Sequence, residues 1–168
     1  SQEKEDHYLS LMLARRVDAM VIAPTGYPQP IFTEIINHQI GLVFVDRRPP
    51  EALAPVVEID NFAAGVEACE YLIGLGHQRI ALITRNLFLS TAQNRTHGYR
   101  HALVSHGLNL DPDLHCVVDS SLEAAESGMQ FLLNLPNPPS AVIATNHIIT
   151  LGVLMALKNA NVRYPRDV

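Results

Sequence analysis

Cysteine occurs only twice in these 168 residues, and no apolar run approaches the roughly 20 residues that would span a bilayer. Cys69 falls on a predicted helix and Cys116 in the apolar run HCVV, both places where an unpaired cysteine behaves as a small core hydrophobe. A disulfide has little support, which points to a reducing, cytoplasmic compartment. Positive charge is scarce too: 12 Lys and Arg against 17 Asp and Glu leave a net charge of −5. No basic stripe is available to neutralise a phosphate backbone, so this segment should not bind DNA by itself. No signal peptide opens the chain, and there is no internal repeat or low-complexity tract. Nor is there a dinucleotide fingerprint: the glycines of GLGHQR end a helix and precede a strand, the reverse of the turn that cradles pyrophosphate. His97 and His101 are four apart and could share a helix face, but no Cys, Asp or Glu completes a metal ligand set by local spacing. No nucleophile has a plausible base, and no acid pair is placed together by motif. Catalytic residues, a metal and a cofactor are therefore not expected.

What is present is alternation. With 48% hydrophobic and 17% charged residues, the chain can bury a substantial core as one or two lobes. The pattern predicts helix Glu5 to Arg15, strand Ala19 to Ala23, helix Ile31 to Gln39, strand Leu42 to Val45 and strand Val56 to Ile59. Helix 62 to 75, strand 80 to 84, helix Asn94 to His106 and strand His115 to Val118 follow. Helix Leu122 to Leu135, strand Ala141 to Ala144 and helix Ile148 to Asn159 complete the series. Such alternation implies parallel sheets with helices on both faces, because each crossover must recross the sheet. Proline marks the loops PTGYPQP from Pro24, RRPP from Arg47 and PNPP from Pro136.

The stretch from Val56 to Tyr99 is the most informative. Asp60 or Asn61 can cap the following helix, since a short side-chain oxygen accepts from the free amides of its first turn. Phe62, Val66, Cys69, Leu72 and Ile73 recur at helical spacing as one apolar face. Gly76 suits the left-handed position that ends a helix, and Ile80 to Ile83 reads as a parallel strand buried on both faces.

The ordered series VEIDNFAAG, LIGLGHQRIALI, STAQNRTHGYRHAL, PPSAVIATNHIITLGVLMAL and YPRDV resembles the effector-binding core of the lactose-repressor/galactose-repressor family of bacterial transcription regulators. The resemblance spans about two thirds of the chain and implies a periplasmic-binding-protein-like α/β fold of two lobes facing across a cleft. On that plan residues 1–59 are part of the N-terminal lobe and residues 60–168 a nearly complete C-terminal lobe. A full regulator would add an N-terminal helix-turn-helix and further strands beyond Val168. The implied function is sensing rather than catalysis: an effector in the cleft shifts a homodimer between states of different affinity for operator DNA. The headpiece that would touch the DNA is absent from this sequence, and no membrane association is expected. A periplasmic sugar-binding protein of a transporter shares the two-lobed plan and stands as the alternative.

Six residues are candidates for effector contact. Arg95 lies near the predicted start of its helix, where a cation opposes the helix dipole and should have a compensating partner. The resemblance makes it the cleft arginine that bonds the effector; the plain alternative is a surface arginine paired with an acid. Asn146 and His147 follow the strand AVIAT at a carboxyl edge, where open α/β sheets bind ligands. Asn146 could instead simply cap the helix, with His147 solvated. The family usually has Asn-Asp there, so histidine removes an acidic acceptor of sugar hydroxyls. Asp46 and Arg47 end the strand LVFV, and Thr91 lies in the predicted loop before Arg95. Arg47, Arg95, His147 and helix N-termini together favour an anionic effector, a sugar phosphate or small organic acid, over a plain sugar.

Overall fold

The computed structural model describes residues 2–27, 30–50 and 54–168. The chain divides into two compact units. One comprises the described residues up to Ile59 together with Phe88–Thr91; the other comprises Asp60–Leu87 and Ala92–Val168.

The first unit contains α1 (Gln2–Ala14), β1 (Ala19–Ile22), α2 (Pro30–Asn37), β2 (Gly41–Val45) and β3 (Val56–Val57). Its strands form a parallel sheet in the order β1-β2-β3. Strand side chains alternate in direction, so Met20 on β1 and Leu42 and Phe44 on β2 converge with Leu9 of α1 and Phe32 and Ile35 of α2 in one core. Phe32 and Phe44 meet edge to face with centroids 4.9 Å apart, the arrangement that the ring quadrupoles favour. The alternate positions Val21 and Val57 are exposed. Glu5 of α1 ties down the loop after β1 by accepting from the Thr25 amide at 3.0 Å and from the Thr25 hydroxyl. The predicted strand Val56 to Ile59 pairs only over Val56 and Val57. Part of the PTGYPQP loop, Pro28 and Gln29, lies outside the described residues.

In the second unit α3 (Asn61–Gly74), β4 (Ile80–Arg85), α4 (Ser90–Ser105), β5 (His115–Val118), α5 (Leu122–Leu133), β6 (Ala141–Ala144) and α6 (His147–Asn159) alternate. The first two residues of α4 group with the first unit. The sheet is parallel with order β5-β4-β6, so β4 is central. Every residue from Ile80 to Thr84 is buried, as a strand covered on both sides requires. Ile80 and Leu82 pack with Cys69 of α3 and Tyr99, Ala102 and Leu103 of α4. Ala81 and Ile83 pack instead with Ala125, Met129 and Leu132 of α5 and Ile149 and Val153 of α6. Helices therefore cover both faces of this sheet.

Local sequence sets the helix ends. Asp60 caps α3, its carboxylate accepting from the Ala63 amide at 2.9 Å, and Gly76 takes φ +92° just beyond the last turn. Phe62, expected on the apolar face, is 40% exposed and lies against the His101 ring, centroids 5.5 Å apart. The larger correction concerns α4, which begins at Ser90 rather than Asn94. Leu89, Thr91 and Ala92 are buried, and burying them in helical geometry outweighs the local preference of Asn94 for a cap. Thr91 is thus inside a helix, not a loop. Arg95 stands in its second turn and does not confront the positive end of the helix dipole, so the dipole argument for a compensating partner does not apply.

Helices α3 and α4 touch backbone to backbone. A Cβ built on Gly98 would lie 2.2 Å from the Phe62 carbonyl oxygen, and one on Gly65 would lie 2.3 Å from the Arg95 carbonyl oxygen. Gly98→Ala is expected to destabilise by about 1–3 kcal/mol or more, because the obstacle is backbone that cannot swing aside; urea denaturation checks this. Burial, reinforced by Glu70, pushes the Cys69 thiol up from 9.0 to about 11. The folded chain thus keeps a proton that the unfolded chain releases. This contribution is complete below pH 9 and is lost as pH rises to about 11, with a slope of roughly 1.4 kcal/mol per pH unit. Chemical denaturation between pH 8 and 11 should show a shallower decline for Cys69→Ala than for the parent.

Candidate functional site

Arg95 reaches from α4 to the carboxyl end of the central strands of the second unit. Its Nε donates to Asn61 Oδ1 at 2.9 Å, and its Nη1 donates to the carbonyl oxygen of Thr145, the residue after β6. Asn61 is 2% exposed, so one grip on the guanidinium is itself fixed by burial at the start of α3. Thr145 is fixed as well: its amide donates to the Ile83 carbonyl at 3.1 Å and its hydroxyl to Thr84 Oγ1 at 3.1 Å. Two of the three nitrogens are therefore engaged, and Nη2 donates to nothing among the described residues. A planar guanidinium held this way is aimed before any ligand arrives. The partner is an amide and a carbonyl, not the acid expected of an ordinary surface arginine.

Arg95 also borders a small cavity of about 190 Å³ with Ala64, Ala68, Leu82, Tyr99 and Ile143. Its walls are largely hydrocarbon, with Thr145 beside Arg95 among the polar lining residues. Tyr99 turns its hydroxyl away to donate to the Ile80 carbonyl at 2.8 Å, and burial raises its pKa well above the usual phenol value.

Asn146 and His147 adjoin the Thr145 carbonyl that Arg95 holds. Asn146 caps α6, its Oδ1 accepting from the Ile149 amide at 3.0 Å. Its Nδ2 is buried with no partner among the described residues, an uncompensated donor beside the arginine's anchor point. His147 is the first residue of α6 and is exposed. Arg95, Asn146 and His147 therefore gather at one carboxyl edge, as expected, although only Asn146 and His147 open a helix.

The other three candidates belong to the first unit. Asp46 adopts φ +69°, a left-handed conformation that aspartate tolerates in turns, and its amide donates to the Val57 carbonyl at 3.0 Å. Arg47 folds back on Asp46, with Nη2 2.7 Å and Nε 2.9 Å from the same carboxylate oxygen. The pair cancels its own charge, so Arg47 does not supply the free cation that the anionic-effector argument gave it. Thr91 is buried as the second residue of α4.

The sequence reading missed Asn61, Thr145 and Thr84. The signal for Asn61 was the doublet Asp60-Asn61: one residue suffices as a cap, which leaves the other free for a different task. Replacing Asn146 by Ala removes the cap bond and should cost about 1 kcal/mol. Asn146→Asp keeps the acceptor and discards the unpaired donor, so thermal melts should place its Tm close to the parent's and above that of Asn146→Ala.

Comparison with known proteins matches residues 1–168 to periplasmic binding proteins and the sugar-binding domain of the LacI family. The HTH-type transcriptional repressor CytR of Escherichia coli (strain K12) is 30% identical over 165 residues, covering 98% of this chain and 48% of that protein. The chain spans about half the length of the curated relatives it matches. Among solved structures, a sugar-binding LacI-family regulator from Escherichia coli complexed with phosphate superposes with a TM-score of 0.82 at 28% identity. It covers 99% of this chain and 60% of that one. The transcriptional regulator CelR in complex with cellobiose gives a TM-score of 0.85 at 26% identity, covering 100% and 52%. The chain belongs to the family of periplasmic binding proteins and LacI-family sugar-binding domains.

Proposed function

We propose that this chain is the effector-sensing part of a cytoplasmic, dimeric transcription regulator that binds operator DNA through a separate headpiece. The observation that carries the reading is the state of Arg95: gripped by Asn61 and Thr145, with one nitrogen uncommitted. A group preorganised in this way supplies direction and affinity without an ordering cost. It suits the hydroxyls of a sugar or the oxygens of a phosphate or carboxylate. The relatives are HTH-type repressors and regulators, which supports regulation over transport or catalysis.

The effector is a sugar, a sugar phosphate or a small organic acid, with preference for an anion. That preference now rests on Arg95 and His147, because Asp46 neutralises Arg47. Binding would act by population shift, the effector favouring whichever conformation holds it better.

Calorimetric titration of the full-length protein with glucose, galactose and ribose and their phosphorylated counterparts tests both levels. A charge-assisted hydrogen bond contributes about 1.5–3 kcal/mol, so Arg95→Ala should weaken effector binding roughly 10- to 100-fold while leaving the circular dichroism spectrum unchanged. The phosphorylated sugar should bind more tightly, and the more so at low salt. Unchanged affinity in Arg95→Ala would remove the site, and tighter, salt-independent binding of the neutral sugar would remove the anionic preference.

A further inference from the structure

His115 opens β5, an edge strand that pairs only with β4 among the described residues, and its ring has no part in the candidate site. It stands opposite Leu82 in the sheet register. Paired residues place their side chains on the same face, so the ring lies in the layer where Leu82 meets Tyr99 and Leu103 of α4. Arg100 of α4 donates from Nη2 to His115 Nδ1 at 3.1 Å. Arginine has no acceptor, and this bond therefore fixes the tautomer: Nδ1 carries the lone pair and the ring proton is on Nε2. Nε2 is buried with no partner among the described residues. Only a neutral imidazole can make this contact. A second proton would have to go on Nδ1, facing a guanidinium, and would leave both ring N–H groups without an acceptor. Burial first, and Arg100 second, accordingly hold the His115 pKa below the ordinary 6.5.

The titratable groups around the ring are Tyr99 and Arg100 on α4, Asp111 and Asp113 on the segment before β5, and Arg79 before β4, with Cys69 of α3 beyond Tyr99. Among the described residues no carboxylate is bonded to the ring. That of Asp111 accepts from Arg79 Nη1 at 2.9 Å and from the Asp113 amide at 3.1 Å, and Asp113 is exposed. The Tyr99 hydroxyl is given to the Ile80 carbonyl, and Cys116, next in β5, packs against the other helix layer. A cavity of about 180 Å³ beside the ring, bordered by Leu110 and Pro112, leaves the ring room to withdraw from Arg100.

We propose that the His115–Arg100 bond is a proton-sensitive latch, which holds the β5 edge against α4 at neutral pH and is released when His115 is protonated. Once released, both ring N–H groups reach water, so opening takes up one proton. The opened segment binds that proton at the ordinary 6.5, the closed one only at lower pH. The latch is therefore intact above pH 6.5 and weakens as pH falls below it, by up to about tenfold per pH unit. A regulator built on this chain would gain acidification as a second input beside its effector.

Hydrogen exchange read by mass spectrometry on the full-length protein tests this, with rates expressed as protection factors so that the pH dependence of intrinsic exchange cancels. Between about pH 7.5 and 5.5, protection across residues 112–118 is expected to fall roughly tenfold while that across residues 141–144 holds. His115→Gln, whose amide oxygen can still accept from Arg100 but which does not titrate, should abolish the fall. Imidazole NMR should show His115 titrating below exposed His97, and Arg100→Gln should bring it back toward the ordinary value. Protection that is flat with pH in the parent overturns the proposal, as does a fall in His115→Gln equal to the parent's. Should that variant not fold, the parent's imidazole titration decides: a His115 that titrates together with His97 contradicts the latch.

Discussion

The absence of two Cβ atoms is the constraint on which the second unit depends. Gly65 and Gly98 let α3 and α4 meet backbone to backbone, and the atom against which Gly65 lies is the carbonyl oxygen of Arg95 itself. The base of the arginine side chain is therefore positioned by main-chain contact, which has none of the rotamer freedom of side-chain packing. Asn61 then meets the guanidinium because it opens α3, the helix that carries Gly65. Fixing α3 against α4 fixes both ends of the Asn61–Arg95 bond at once.

The remaining anchor comes from the sheet. Thr145 follows β6, whose register against β4 is set by the pairing of Ile80 with Ala141 through Ile83 with Ala144. Its carbonyl is directed at Arg95, while its amide and hydroxyl return to Ile83 and Thr84 on the central strand. The side chains of β4 divide between the two helix layers, so neither layer can shift without disturbing the strand that holds Thr145. A site built on such elements is precise because its supports are packed, and its polar groups are few because most of the surrounding surface is hydrocarbon.

Most of this architecture was legible in the sequence because its signals are local. The buried run Ile80 to Ile83, the cap at Asp60 and the left-handed glycine at Gly76 each follow from chemistry within a few residues. The errors arose where tertiary burial decided. Helix α4 starts at Ser90 because Leu89, Thr91 and Ala92 are buried, which no local pattern reveals. Phe62 obeys helical spacing, yet it lies 40% exposed against His101. At the candidate site, the helix-start argument for Arg95 failed, whereas the family resemblance behind its choice held. Asn61 and Thr145 were missed because their role is to hold another residue through contacts 34 and 50 positions away. Arg47 was counted as a free cation, but it pairs with the preceding Asp46, which adopts a left-handed backbone.

Arg95 is held by Asn61 and Thr145, and we propose that it meets the effector with the nitrogen that remains. Side-chain ¹H–¹⁵N NMR of the arginine guanidinium groups, recorded while effector is added, tests it most directly. The Arg95 Nε–H resonance should exchange slowly with water before effector is present, because that hydrogen bonds to buried Asn61. The resonance should also move on titration, whereas that of exposed Arg166 should not. An Arg95 signal that exchanges as freely as that of Arg166, or that stays unmoved at saturating effector, would contradict this.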